Sequence, residues 1–281
     1  MMKMTIAELI RRKTQGRKIT MLTAYDYPMA KLLDQAGIDV ILIGDSLGMV
    51  VLGYETTASV TMEEMLHHAK AVRRGVVHAL LIGDLPLVAL RGSGEEILKQ
   101  AKRFIEEAGC DGVKIEWKPE IQQAVQAIVS SGIAVVGHVG LTPQTATAVG
   151  GWGMRGKDAT SAAEIVRQAM QLESVGCCAM VLECVPDQVA AEITRRLRVP
   201  TIGIGAGPHC DGQVLVTYDL LGLFDRFTPR FVKRYGDLGS TIRQAASTYR
   251  EEVTQGRFPA SEHTVMMALD EVSKFQEALK R

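Results

Sequence analysis

An ionised carboxylate stranded in a dry interior costs on the order of several kcal/mol. This sequence nevertheless twice drives a strand-like apolar run into an aspartate: VILIGDSLG meets Asp45 and LLIGDLP meets Asp84. Two such groups placed together by adjacent strands repel, and a hard divalent cation with oxygen ligands offsets that repulsion. Neither aspartate has a Cys or His beside it in the chain, which favours Mg²⁺ over softer metals. The plainer alternative, in which each Asp caps a helix or pairs with an Arg, explains one of them better than two.

Four further residues extend the set. In GVKIEW, Lys114 and Glu116 are two apart, so in a strand they face the same side. An inward lysine needs an anion, either Glu116 itself or a substrate carboxylate. His138, in VVGHVG, is a core histidine or a group that orients substrate and relays a proton. Glu183 closes the otherwise apolar MVLE; burial there raises its pKa toward the range of a general base, unless a helix arginine pairs with it. Two acids for a metal, a lysine for an anion and a glutamate base suit proton abstraction beside a chelated carbonyl, as in enolisation of a 2-oxo acid followed by carbon–carbon bond formation.

Such residues converge only if the chain supplies the right scaffold. Apolar runs recur as ITMLTAYD, VILIGD, HALLIGD, GVKIE, AVVGHVG, CAMVLEC, PTIGIGAG and a weaker QVLVTYD. Between them lie amphipathic segments such as TMEEMLHHAKAVRRG and SGEEILKQAKRFIEEAG, which begin at Ser or Thr with acids following and finish at Gly. Eight buried strands alternating with helices predict a (β/α)₈ barrel whose strand ends meet at one mouth; a doubly wound open sheet is the alternative. No linker or low-complexity tract divides the chain, so residues 1–281 form one domain, with a helical extension from about residue 258. The Gly- and Thr-rich stretch from Thr142 to Asp158, which includes Trp152, is long for a βα connection, and loops of that kind often act as lids.

Composition excludes several classes. With 281 residues, 47% hydrophobic, 23% charged and a formal net charge of +0, the chain can bury a large core but has no field to attract nucleic acid or an anionic membrane. No apolar run approaches the roughly 18 residues of a membrane helix, and the N-terminus lacks a signal pattern, so the expected location is cytoplasmic. Five cysteines without a C-x-x-C pair read as buried reduced thiols. GIGAG, followed by Pro208, fails as a dinucleotide loop.

The motifs GDSLGMVVLGY, GDLP, GVKIE, GHVGLTPQ, LECVP and GIGAG…DGQ, in this order over most of the chain, resemble those of the ketopantoate hydroxymethyltransferase family. The resemblance implies a (β/α)₈ barrel that binds one Mg²⁺ and transfers a hydroxymethyl group from the co-substrate 5,10-methylenetetrahydrofolate to 3-methyl-2-oxobutanoate, giving 2-dehydropantoate for pantothenate synthesis. Carried over, Asp45 and Asp84 would be metal ligands, with Glu116 joining directly or through water. Ser46 and Lys114 would hold the oxo acid beside Asp45 and Asp84, Glu183 would be the base, and His138 would line the same pocket. The resemblance also implies a homodecamer, which would give a surplus C-terminal helix a place to pack. The chain departs from the family pattern at Leu87, at Trp117 and Lys118, and at Pro208 and His209, all expected at the mouth. Two other readings stand beside it: a Mg²⁺-dependent carbon–carbon lyase or mutase on a related oxo acid or phosphoenolpyruvate, although no KKCGH-like loop is present, and a non-catalytic barrel, although no acid is missing.

Overall fold

Along each strand the inward side changes character from one end to the other. In a computed structural model that describes residues 3–146 and 153–280, the chain runs α1 (Ile6–Thr14), β1 (Ile19–Thr23), α2 (Tyr27–Gln35), β2 (Val40–Ile43), α3 (Leu47–Val50), α4 (Met62–Gly75), β3 (Leu80–Asp84), α5 (Gly94–Glu106), β4 (Gly112–Glu116), α6 (Ile121–Ser130) and β5 (Ala134–Gly140). It continues through α7 (Ala159–Ser174), β6 (Ala179–Glu183), α8 (Asp187–Arg196), β7 (Thr201–Ile204), β8 (Gly212–Leu215), α9 (Thr217–Leu220), α10 (Leu238–Thr254) and α11 (Leu269–Ala278). The eight strands pair in chain order, all parallel, and β8 closes on β1. This is the (β/α)₈ barrel that the alternating pattern predicts.

Inside the cylinder, Ile19 and Met21, Val40 and Leu42, Leu80 and Ile82, Val136, Ala179 and Val181, Ile202 and Val214 form a dry plug, sealed from the N-terminal end by Met4 and by Leu9 of α1. Continuing with the period of two, the next inward residues are Thr23, Asp84, Lys114, Glu116, His138 and Glu183. The barrel is therefore apolar below and charged at its C-terminal mouth. The alternate residues, including Ile41, Ile43, Leu81, Val113, Ile115, Val139, Met180 and Leu182, form the second core, between sheet and helices. There Gly83 is required because a Cβ would run into the Phe104 ring of α5.

Helix starts follow the sequence signals. Thr61 with Glu64 and Ser93 with Glu96 make complete capping boxes, and Asp158 caps α7. Two expectations are corrected. Asp26 does not end a strand; β1 stops at Thr23, and Asp26 caps α2 by accepting from Met29 N–H. Asp219 likewise lies beyond β8, on α9. The expectation that one tail helix completes the barrel is corrected as well: the barrel closes without burying a residue of α10 or α11, and the short α9 follows β8. Ile242, Tyr249, Leu269, Phe275 and Leu279 remain exposed. Among the described residues no helix is long and apolar enough to cross a membrane.

Candidate active site

Asp45, Ser46, Asp84, Lys114, Glu116, His138 and Glu183 all line one cavity of about 770 Å³ at the C-terminal mouth. Register explains the convergence: Asp84 is paired with Lys114, Glu116 with His138, and Gly140 with Glu183, so neighbouring strands deliver these side chains at successive levels. Asp45 reaches the group from the turn after β2, and its N–H donates to Asp84 Oδ2 at 3.4 Å. The Asp45 main chain thus lies against the Asp84 carboxylate, and the two carboxylates are close enough to repel.

Their electrostatics are those of crowded buried acids. Burial, and then the neighbouring Asp84 carboxylate, push Asp45 up to about 7. Glu116 is raised well above the usual range, mainly by burial. Lys114 Nζ lies 2.8 Å from Asp84 Oδ1; burial would lower its pKa, but Asp84, Glu116 and Asp45 together hold it above the usual lysine range. Burial and the Lys114 charge keep His138 well below the usual histidine range, so its ring is neutral. Lys114 Nζ donates to His138 Nδ1 at 3.3 Å, which assigns the ring proton to Nε2, 3.3 Å from Glu183 Oε2. Burial raises Glu183 to about 7, with Lys114 opposing.

The sequence pattern passed over two supporting residues. Gln144, buried in the turn after β5, donates through Nε2 to Asp45 Oδ2 at 2.8 Å and to the Leu85 carbonyl at 2.9 Å. Its backbone N–H donates to Glu116 Oε2 at 3.3 Å. Tyr25, wholly buried after β1, holds Ser46 Oγ at 2.9 Å through its hydroxyl. Both belong to quoted motifs, GHVGLTPQ and ITMLTAYD, but neither bears a charge that would single it out. Cys184, in the left-handed turn after β6 (φ 48°), also faces the cavity. Its thiol, pushed up to about 12 by burial and then by Glu183, stays protonated and is a poor nucleophile.

The donor set fits a hard dication. Glu116 Oε1 is buried without a hydrogen-bond donor, and Asp84 Oδ1 has only the Lys114 ammonium. No three His, Cys, Asp or Glu side chains among the described residues form a finished cage. Magnesium is commonly held by only one or two carboxylates, with water and substrate supplying the rest.

The departures from the family pattern do not line the cavity. Leu87, Trp117 and Pro208 are not among the cavity's described lining residues. Trp117 follows inward Glu116 and so points outward, against the core between sheet and helices; Pro208 is exposed in the turn between β7 and β8. The foreseen lid at Trp152 falls in 147–152, outside the described residues.

The profile of the ketopantoate hydroxymethyltransferase family matches residues 3–261. The chain belongs to that family. It is therefore an enzyme, a hydroxymethyltransferase of pantothenate biosynthesis. Among its ketopantoate hydroxymethyltransferase relatives, the 3-methyl-2-oxobutanoate hydroxymethyltransferase of Acetivibrio thermocellus is 50% identical over 275 residues, covering 97% of each chain. That of Moorella thermoacetica is 51% identical over 262 residues, covering 93% of this chain and 97% of that protein. Among solved structures, phosphoenolpyruvate phosphomutase from Streptomyces platensis subsp. rosaceus superposes with a TM-score of 0.62 at 18% identity over 98% of both chains. A phosphonopyruvate hydrolase complex with oxalate and Mg²⁺ gives 0.56 at 17%, over 99% of this chain and 96% of that one. At those identities the likeness is one of fold, and the lyase or mutase alternative is not favoured.

Proposed function

We propose that the chain converts 3-methyl-2-oxobutanoate to 2-dehydropantoate by enolisation and transfer of the one-carbon unit of 5,10-methylenetetrahydrofolate. The observation that carries this reading is one cavity holding the Asp45 and Asp84 carboxylates, the Lys114 ammonium and, on β6, a carboxyl raised to about 7. Asp45 and Asp84 would hold Mg²⁺, with Glu116 joining directly or through water. Bound there, the ion would supply Lewis-acid stabilisation of the charge that develops on the keto oxygen. Lys114 and the Ser46 hydroxyl, steadied by Tyr25, bind and orient the anionic substrate. Glu183 removes the C3 proton and passes it on to solvent, as a group titrating near neutrality can. His138 Nε2 lies 3.3 Å from the Glu183 carboxylate and lines its surroundings; the donor's methylene carbon then bonds to C3, water supplies the hydroxyl oxygen, and tetrahydrofolate leaves.

Incubation with Mg²⁺, the oxo acid and methylenetetrahydrofolate is expected to yield 2-dehydropantoate, and in D₂O without folate the C3 hydrogen is expected to exchange. Absence of both would remove the proposal. Because Glu183 acts only when ionised, the exchange rate at saturating Mg²⁺ is expected to fall about tenfold per pH unit below about 7 and to level off above it. A flat NMR exchange profile from about pH 5.5 to 8.5 would exclude this group as the base.

We also propose that the tail helices are covered by other copies in a homo-oligomer, a decamer by family resemblance, since α10 and α11 bury nothing within one chain. Light scattering is expected to give a mass several times that of one chain; a monomer would contradict it. A cytoplasmic location accords with five unpaired thiols.

A further inference from the structure

Most of the charged residues occupy one side of the cavity. Asp45, Asp84, Lys114, Glu116, His138 and Glu183 come from β2 through β6. Across the ring, the wall over β7 and β8 is made by Ile204, Val214 and Val216 and by rings from the segment that follows α9. Phe231 lies over Gly205, where a Cβ would come within 2.7 Å of its ring. Phe224 and Phe227 stack edge to face at 5.2 Å, and Phe227 is 50% exposed at the opening. Arg226 ties this aromatic segment to the loop after α3, donating to the carbonyls of Gly53 and Tyr54 at 2.7 and 2.8 Å. A cavity of about 770 Å³ is of the size that encloses a drug-sized ligand, far more than a small branched oxo acid fills.

Within this apolar half sits one carboxylate, Asp219. Its helix is fixed to the barrel: Thr217, fully buried, donates from its N–H to Thr23 Oγ1 at 3.0 Å and from its hydroxyl to the Thr23 carbonyl at 2.5 Å. The Asp219 side chain faces the cavity and makes no hydrogen bond or ion pair with any described residue. Burial raises it to about 6, partly opposed by Arg234. A carboxylate held on a rigid element, partly desolvated and without a donor, is costly unless a ligand brings donors to it. The oxo acid, itself an anion, is repelled from it and drawn to Lys114 on the opposite strand.

We infer that Asp219 recognises the pterin of the one-carbon donor, accepting hydrogen bonds from the adjacent N3–H and 2-amino group while the ring lies against Phe224, Phe227 and Phe231. This rests on the folate reading above. The pterin edge presents two N–H donors side by side, the complement of two carboxylate oxygens, and a flat heteroaromatic body suited to phenyl walls. With the pterin over β8 and the oxo acid over β2 to β4, the one-carbon unit is delivered between them, on the side of Glu183. Arg230, also lining the cavity, supplies a cation toward the donor's glutamate tail.

The test measures tetrahydrofolate binding by calorimetry, with Mg²⁺ and oxo acid present, for the wild-type protein and for Asp219→Asn. An amide replaces one acceptor by a donor that meets the pterin's own N–H, so the affinity is expected to fall about 10- to 100-fold. An analogue with methyl in place of the 2-amino group is expected to bind the wild type correspondingly weakly and to lose little more in the variant, closing a cycle that a merely structural role would not produce. C3 exchange, which needs no folate, reports whether the opposite half of the cavity is intact. Equal tetrahydrofolate affinity in variant and wild type, or equal losses for both ligands, would overturn the assignment of Asp219. Absence of tetrahydrofolate binding by a wild-type protein that still exchanges C3 would instead remove the folate reading, and this assignment with it.

Discussion

Glu183→Gln is expected to bind the oxo acid about as well as the wild type while exchanging its C3 hydrogen about 10²- to 10⁴-fold more slowly, the usual contribution of a positioned general base. The amide keeps the volume at the end of β6, beside His138 Nε2, which stands 3.3 Å from Glu183 Oε2. What it loses is the capacity to take a proton. The Asp45 and Asp84 carboxylates, proposed to hold the metal, are untouched, so Mg²⁺ affinity serves as the internal control. NMR of the oxo acid in D₂O gives the rate, and calorimetry gives the binding. Exchange at the wild-type rate would transfer the base role to another group.

The alternative donor of that role is His138, and the geometry weighs against it. Its Nδ1 faces the Lys114 ammonium at 3.3 Å, and burial together with that charge holds the ring neutral. An imidazole whose one acceptor nitrogen is already occupied has its proton on the nitrogen facing Glu183. It can orient the carboxylate and stabilise it, but it cannot accept the C3 proton without first breaking the contact to Lys114. His138→Ala is therefore a positioning change, milder than loss of Glu183.

The legible features of the chain were those governed by a strict period. Alternation along a strand places Lys114 and Glu116 on one face, and the same parity carries Asp84, His138 and Glu183 inward above the plug formed by Leu80, Ile82, Val136 and Val181. Gln144 was not legible because its part depends on a turn, in which a neutral amide bridges Asp45 and the Leu85 carbonyl across three βα loops; no spacing rule connects those segments. Trp117 and Pro208 stay out of the cavity for a related reason. Lying next to a motif in sequence does not place a side chain in the cavity, and one step past Glu116 reverses the direction of the side chain. The apolar run through Val216 extends the strand pattern to Asp219, yet Thr217 turns the chain into α9 by bonding back to β1. The tail helices have the amphipathic pattern of barrel helices, and only their lack of burial within one chain distinguishes them.

Lys114→Met is expected to damage stability as much as activity. The ammonium is 2.8 Å from Asp84 Oδ1, with a side chain 5% exposed, and it offsets the charge of Asp45 and Glu116 as well. Removing one partner of a buried pair costs about 3–5 kcal/mol, because the other charge remains desolvated; for a chain of this size that corresponds to a loss on the order of 10 °C in Tm. The loss has a predictable pH dependence. Asp45, raised to about 7 in the folded state against about 4 when unfolded, and Glu116, raised in the same sense, hold more protons folded than unfolded. Their contribution therefore favours folding at low pH and declines as pH rises through the folded values. Without Lys114 those values rise further, so the gap between variant and wild type widens as pH rises through about 7. Mg²⁺ supplies the missing positive charge and is expected to raise the variant's Tm by more than it raises that of the wild type. The rescued protein still lacks the cation that meets the oxo acid, so its KM for that substrate stays elevated when its stability has returned. A variant that melts with the wild type at every pH, with or without Mg²⁺, would show that this lysine does not hold the acids of the mouth together.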